Sequence, residues 1–224
     1  MLNHIAIIMD GNRRWARHKK IDGVYGHKEG AKTLMNLCKI IRDKCSVSYV
    51  TIYAFSSENT SRSKEELNNL FNLLDEYLDS DIAKLQKENI NVTIFGDFSI
   101  FKTTTQNKIH KINEQNVENH RYTLNIALNY GGRKELCNAF NILAKNGAKE
   151  ITEDDITNAL YLPHLPDVDL LIRTGGTQRL SNFLPWQAIY AELYFTQTLW
   201  PDFKEKHLME AIEFYQSQQR NFGK

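Results

Sequence analysis

Asp10, Arg13 and Arg14 follow directly on an apolar run, residues 4–9, with Gly11, Asn12 and Trp15 beside them. A carboxylate at a strand end can hold a hard cation such as Mg²⁺. Neighbouring guanidinium groups can clamp phosphate oxygens through paired, charge-assisted hydrogen bonds. Gly11 has no Cβ, so the backbone there can approach a ligand closely. The same residues also read as a plain strand, a turn and a basic helix start, and the rest of the chain has to decide between the two.

Similar chemistry recurs after other apolar runs. Residues 47–55 lead into Ser56, Ser57, Glu58, Asn59 and Arg62, and residues 122–128 into Asn129, Gly131, Gly132 and Arg133. Residues 168–172 lead into Arg173, Thr174, Gly175, Gly176, Arg179 and Ser181. In open α/β sheets, ligands bind outside the carboxyl ends of the strands. Gathered on one rim, these hydroxyls, amides, glycines and arginines make an anion site suited to phosphate or diphosphate. Singly, each has a plainer role: Ser56 and Ser57 can start a turn, Asn59 can be an Asx-turn residue, and His27 can be a cap or surface residue. The plainer roles leave the repetition at the strand ends unexplained.

The elements that must carry this rim are visible as periodicity. Residues 4–9, 47–55, 91–95, 122–128, 168–172 and 193–199 are near-continuous apolar runs, which suit strands buried on both faces. Between them, Leu34, Leu37, Cys38 and Ile41 repeat at helical spacing, as do Leu67, Leu70, Phe71 and Leu74, and Leu136, Ala139, Phe140 and Leu143. Leu208, Ala211, Ile212 and Tyr215 mark a last helix. Ser63 with Glu66 reads as a capping box for a long helix over 64–88, Asp202 with Glu205 as another, and Gly147 as a helix C′ residue. The alternation predicts an α/β fold, a central, mostly parallel six-stranded sheet flanked by helices, in one domain over 1–224. The apolar stripe of the long helix could line a tunnel or be ordinary core.

Bulk properties narrow the classes. A formal charge of +1 excludes a global basic field, so anion binding has to be local. Cys38, Cys45 and Cys137 show neither disulfide nor zinc spacing and read as apolar residues of a reducing compartment. Asp10 interrupts any signal-peptide core, and no run reaches the ~18 apolar residues of a membrane span. A soluble, cytoplasmic chain is expected, with peripheral membrane contact open. P-loop, dinucleotide-fingerprint, H-E-x-x-H and G-x-S-x-G motifs are absent, as is an Asp-Asp-x-x-Asp cluster.

The blocks HIAIIMDGNRRWA, Gly26-His27, YAFSSENTSR, LNIALNYGGR, DLLIRTGGTQRLSNFLPWQAIYAELYF and LWPDF closely resemble the cis-prenyltransferases, with the bacterial undecaprenyl diphosphate synthases nearest, in register over nearly the whole chain. The resemblance implies a homodimer that adds isopentenyl diphosphate, with Z geometry and Mg²⁺, to an allylic primer such as farnesyl diphosphate. It assigns Asp10 to the metal and diphosphates, and Gly11, Asn12, Arg13 and Arg14 to the allylic diphosphate, with Trp15 and His27 nearby. Ser56, Ser57, Glu58, Asn59 and Arg62 fall on a closing loop. Arg173, Arg179, Leu180 and Ser181 fall at the isopentenyl diphosphate, and Glu192 at the metal, from the partner subunit. Asn59 has the proton-acceptor role in the family. A neutral amide is a weak base, so substrate positioning is expected of it, with diphosphate oxygen taking the proton.

Four departures stand out. Arg13 replaces the family's usual glycine, and Gly23 an arginine, a pair of changes that can conserve positive charge. Asn59-Thr60-Ser61-Arg62-Ser63 lacks the usual aromatic and proline, and Thr177-Gln178 an acidic residue and histidine. Two other classes compete: a non-catalytic subunit of the same fold, which would lack the Asp10 motif, and an RNA-binding module on RRWARHKK, which the near-neutral charge opposes. No nucleic-acid partner is expected.

Overall fold

The computed structural model describes residues 1–61 and 63–219, with the backbone alone at Ser61. Arg62, assigned above to the closing loop, lies outside the described residues. The strands are β1 (His4–Ile8), β2 (Tyr49–Ser56), β3 (Ile90–Phe95), β4 (Tyr122–Tyr130), β5 (Leu170–Arg173) and β6 (Glu192–Phe195). They form one six-stranded sheet in the order β3-β4-β2-β1-β5-β6, every pairing parallel. The helices are α1 (Asn12–His18), α2 (Gly23–Lys44), α3 (Lys64–Lys87), α4 (Thr103–Glu114), α5 (Gly132–Lys145), α6 (Glu153–Asn158) and α7 (Glu205–Ser217).

Strand alternation builds two cores from one sheet. Ile5 and Ile7 of β1 face one cluster with Leu37 of α2, Leu78 and Ile82 of α3, Ile109 of α4 and Leu208 of α7. Ala6 and Ile8 face the other, with Ala127, Tyr130, Leu171 and Phe183. Both faces are therefore covered, which is why the runs read as continuously apolar.

β1 sits centrally, with β2, β4 and β3 on one side and β5 and β6 on the other. The direction of winding reverses at β1, and the crevice at its carboxyl end is where such sheets bind ligands. Asp10 stands there. A register shift between Tyr53 and Phe55 against β4 brings Ser56 opposite Tyr130, so the end of β2 turns toward the same rim.

Several expectations need correction. β6 stops at Phe195 rather than reaching residue 199, because the next residues leave the ladder to bond loops: Gly176 N–H donates to Thr196 O and Gly175 N–H to Thr198 O, each at 2.8 Å. β4 runs on to Tyr130. α4 has only Thr105, Ile109 and Ile112 buried, too sparse a stripe to announce a helix. His27 lies inside α2, whose start is capped by Asp22 accepting from Val24 N–H at 2.8 Å. Ser63 does cap α3, accepting from Glu66 N–H at 3.3 Å, and Gly147 takes a C′ position at φ +80°. Glu66's carboxylate also reaches Arg13 at 3.4 Å, and Asp202 accepts from the Trp15 indole at 3.0 Å rather than capping α7.

Candidate active site

The rim is built on one buried arginine. Arg173, the last residue of β5, is 5 % exposed. It donates to the Asp10 carboxylate at 3.1 Å, to Ser181 Oγ at 2.7 Å and to the Arg179 carbonyl at 2.5 Å. Its Nε is buried without an acceptor among the described residues. Arg14 approaches Asp10 from the other side at 2.9 Å and anchors its second nitrogen on the Gly175 carbonyl at 2.6 Å. Asp10's backbone carbonyl accepts from Thr174 Oγ1 at 2.6 Å and from Trp200 N–H at 3.1 Å. One carboxylate is thus held between two guanidiniums, Arg14 half-buried and Arg173 buried. Such a cluster is prearranged for polyanionic oxygen.

Gly175 makes the arrangement possible. Its φ is +81°, and a Cβ there would overlap Arg14 Nη2.

The second strand end closes on the first through its loop. Asn59 Oδ1 accepts from Ser56 N–H at 3.3 Å, and Ser56 Oγ from Glu58 N–H at 3.2 Å, so the Asn59 amide folds the turn Ser57–Ser61. Asn182, absent from the sequence reading, joins three parts. Its Oδ1 accepts from Arg133 N–H at 2.9 Å, its Nδ2 donates to Glu58 at 3.3 Å, and its carbonyl accepts from Gly132 N–H at 2.8 Å. Ser181 and Asn182 both take left-handed φ, +50° and +62°. An Asn after a Ser carries no sequence signal for this; the contacts are all remote. Tyr53, its hydroxyl pushed up to about 12 by burial, stays a donor and bonds the Tyr130 carbonyl at 3.1 Å. Leu180 packs half-buried beside that aromatic group, while the Arg179 side chain is exposed.

Below the rim lies an apolar cavity of about 180 Å³ between α2, α3 and the sheet. A single water needs roughly 10–15 Å³, so this volume accommodates a chain rather than a solvent molecule. It meets the rim at Met9, Asn12 and His27 and descends past Leu70, Phe71 and Leu74 to Ile82, Leu85 and Leu124. The α3 stripe is therefore tunnel wall as well as core. Gly30 permits this packing, since a Cβ on it would strike Asn12 Oδ1 and stand 2.9 Å from Trp200.

Other expected residues lie at the edge or apart. Arg13 is exposed and pairs with Glu66 at 3.4 Å, bridging α1 and α3. Its Cγ stands 3.9 Å from where a Cβ at Gly23 would lie, so Arg13 covers the position of the replaced arginine. Glu192 opens β6 opposite Leu170, whereas Arg173 pairs with Phe195. Three residues of strand, about 10 Å, separate Glu192 from its own rim. Among the described residues no three His, Cys, Asp or Glu side chains cluster as metal ligands. Asp10 fits a Mg²⁺ whose other ligands are diphosphate oxygens, because this ion is commonly held by one or two carboxylates plus substrate phosphates.

Guanidiniums gathered round one carboxylate beside an apolar cavity suit a transferase for diphosphates that carry hydrocarbon tails. Comparison with known proteins agrees. The prenyltransferase family model described as undecaprenyl diphosphate synthase matches residues 8–223. An isoprenyl transferase of Rickettsia typhi is 43% identical, covering 100% of this chain and 98% of its own. A farnesyl-diphosphate-specific ditrans,polycis-undecaprenyl-diphosphate synthase of Pasteurella multocida is 46% identical, covering 98% and 94%. Among solved structures, lavandulyl diphosphate synthase from Lavandula x intermedia, in complex with dimethylallyl diphosphate, superposes with a TM-score of 0.91 at 33% identity, covering 99% and 98%. A probable undecaprenyl diphosphate synthase from Campylobacter jejuni gives 0.84 at 34%, covering 100% and 99%. The chain belongs to the undecaprenyl diphosphate synthase family of cis-prenyltransferases.

Proposed function

We propose that this enzyme condenses isopentenyl diphosphate units, in Z configuration, onto farnesyl diphosphate to give a long polyprenyl diphosphate, undecaprenyl diphosphate. The carrying observation is the Asp10 carboxylate fixed between Arg14 and Arg173, with Met9 and Asn12 on either side of it in the chain lining the apolar cavity. Gly11, Asn12, Arg13 and Arg14, with Trp15 and His27, take the allylic diphosphate, and its tail enters the cavity. Arg173, Arg179, Leu180 and Ser181 take isopentenyl diphosphate. Mg²⁺, when bound at Asp10, adds positive charge to the departing diphosphate oxygens.

As the allylic C–O bond breaks, negative charge accumulates on the leaving diphosphate, and the Arg14 and Arg173 guanidiniums beside Asp10 offset it. Each charge-assisted hydrogen bond is worth about 1.5–3 kcal/mol, so three or four that tighten in the transition state supply a large part of the rate. The isopentenyl alkene attacks the allylic carbon, and the proton it loses passes to diphosphate oxygen. Asn59 is a positioning residue, since its carbonyl oxygen is engaged with Ser56 N–H. The loop that carries Ser56, Ser57, Glu58 and Asn59 closes over the substrates.

The active form is proposed to be a homodimer. Ile189 and Tyr190 are 69% and 71% exposed just before the edge strand β6, an apolar face suited to a second copy, and Glu192 lies on the same edge. The test is incubation with Mg²⁺, labelled isopentenyl diphosphate and farnesyl diphosphate, followed by sizing of the lipids. Long polyprenyl products that vanish with Asp10→Ala are expected. Absence of any condensed product from the folded native enzyme overturns the reading.

A further inference from the structure

The connection between α1 and α2 is rich in cations. Residues 13–32 carry seven Lys and Arg against two carboxylates, in a chain whose total charge is +1. One of those carboxylates, Asp22, is committed to capping α2, and the other, Glu29, is paired with Lys32 at 2.9 Å. Lys19 lies 5.8 Å from the Trp15 ring. Arg17, Lys20 and Lys28 are exposed and have no carboxylate partner among the described residues. In their midst stand two large apolar side chains in solvent, Ile21 at 43% and Tyr25 at 60% exposure.

The exposed apolar group at the sheet edge differs in setting. Ile189, Tyr190 and Leu193 sit by the edge strand without such a cationic surround, as a face between two copies would. At the α1–α2 turn, unpaired cations ring an apolar tip, the composition that lodges in a lipid headgroup layer: the tip enters the acyl boundary and the cations meet anionic headgroups. The location adds a reason. Gly26, one residue beyond Tyr25, packs against Asn12 and Ala16 of α1, and Asn12 and His27 line the cavity where it meets the rim.

We infer that the α1–α2 turn, through Arg17, Lys20, Lys28, Ile21 and Tyr25, docks the enzyme on an anionic bilayer and sets the cavity mouth against it. The inference rests on the proposed function for its purpose: a polyprenyl tail loses about 0.8 kcal/mol of burial per CH₂ on entering water and almost none on entering lipid. A bilayer at the mouth therefore supplies the exit.

The test is flotation of the full-length enzyme, without substrates, on phosphatidylcholine vesicles with and without phosphatidylglycerol. Lys20→Glu/Lys28→Glu and, separately, Ile21→Ser/Tyr25→Ser are compared with the native chain. Native enzyme should float with the anionic vesicles, and each double variant should bind roughly tenfold more weakly or worse. Prenyl transfer in detergent micelles should be unchanged in all three. Equal binding by native and variant chains, or no preference for anionic vesicles, overturns the assignment. So does binding of a single-stranded oligonucleotide in preference to vesicles at the same salt, which would make the turn a nucleic-acid contact. Vesicle binding without prenyl transfer would instead sink the proposed function and leave the docking surface standing.

Discussion

Arg173 is both buried and multivalent. It ties β1, β5 and the Ser181 loop through three acceptors. A lysine keeps the charge there but not the fork, and cannot reach several acceptors at fixed angles. Arg173→Lys should lower kcat/KM by about 100-fold, on the order of two lost charge-assisted hydrogen bonds, and steady-state kinetics would read it. Gly175→Ala tests the same cluster from the backbone side. A residue forced to φ +81° with its Cβ overlapping Arg14 has to displace that guanidinium. The KM for the allylic substrate should rise at least tenfold, with a loss of about 1 kcal/mol or more in urea unfolding. The site's types were legible at this scale: Asp10, Arg14, Arg173 and Ser181 do meet. Asn182 was not, because its partners are Glu58 and Arg133, remote in sequence and brought near by folding alone.

At the scale of elements, the sheet interior holds a polar ladder. His4 Nδ1 bonds the Pro166 carbonyl at 2.8 Å, and its Nε2 meets Thr51 at 2.7 Å, which in turn accepts from Asn125 at 3.3 Å. The ladder crosses β1, β2 and β4. Burial lowers the His4 pKa from 6.5 to about 4. Between those values the unfolded chain takes up a proton that the folded chain refuses. Stability is therefore complete above about pH 6.5 and falls as pH drops toward 4, by up to about 3 kcal/mol. Urea midpoints across that window should show the slope, and His4→Gln should flatten it. The α3 wall makes a separate prediction. Ile82 lies deep in the cavity, 12 residues or about 18 Å along the helix from Leu70. Ile82→Phe should shorten the polyprenyl products with the KM of the first condensation unchanged, seen by sizing the lipids. The helical period identified this stripe; that it borders a void rather than solid core depends on how far α2 and α3 stand from the sheet.

For the whole molecule, the placement of Glu192 is decisive. It starts β6 while the rim lies at the far end of β5, so one chain does not bring Glu192 to its own Asp10. If the edge faces a second copy and Glu192 serves the partner's site, two inactive variants should rescue each other. Mixing Asp10→Ala with Glu192→Gln under subunit exchange should restore prenyl transfer, because one site of each mixed dimer is then intact. If Glu192 served its own chain, every site would keep a defect and the mixture would stay inactive.

Period and composition were enough to establish the α/β class, the strands and most helices, and the residue types on the rim. Those signals are local, arising from side-chain alternation, capping and what can follow a strand end. They failed where local signal was weak or overridden, as at α4 with its few apolar residues and at residues 196–199, whose amides and carbonyls bond loops instead of extending β6. Only the folded chain decided that winding reverses at β1, that Glu66 meets Arg13 across α1 and α3, and that the α3 stripe lines a cavity. Each of these depends on distances between segments far apart in the chain, which packing sets and no stretch of sequence contains.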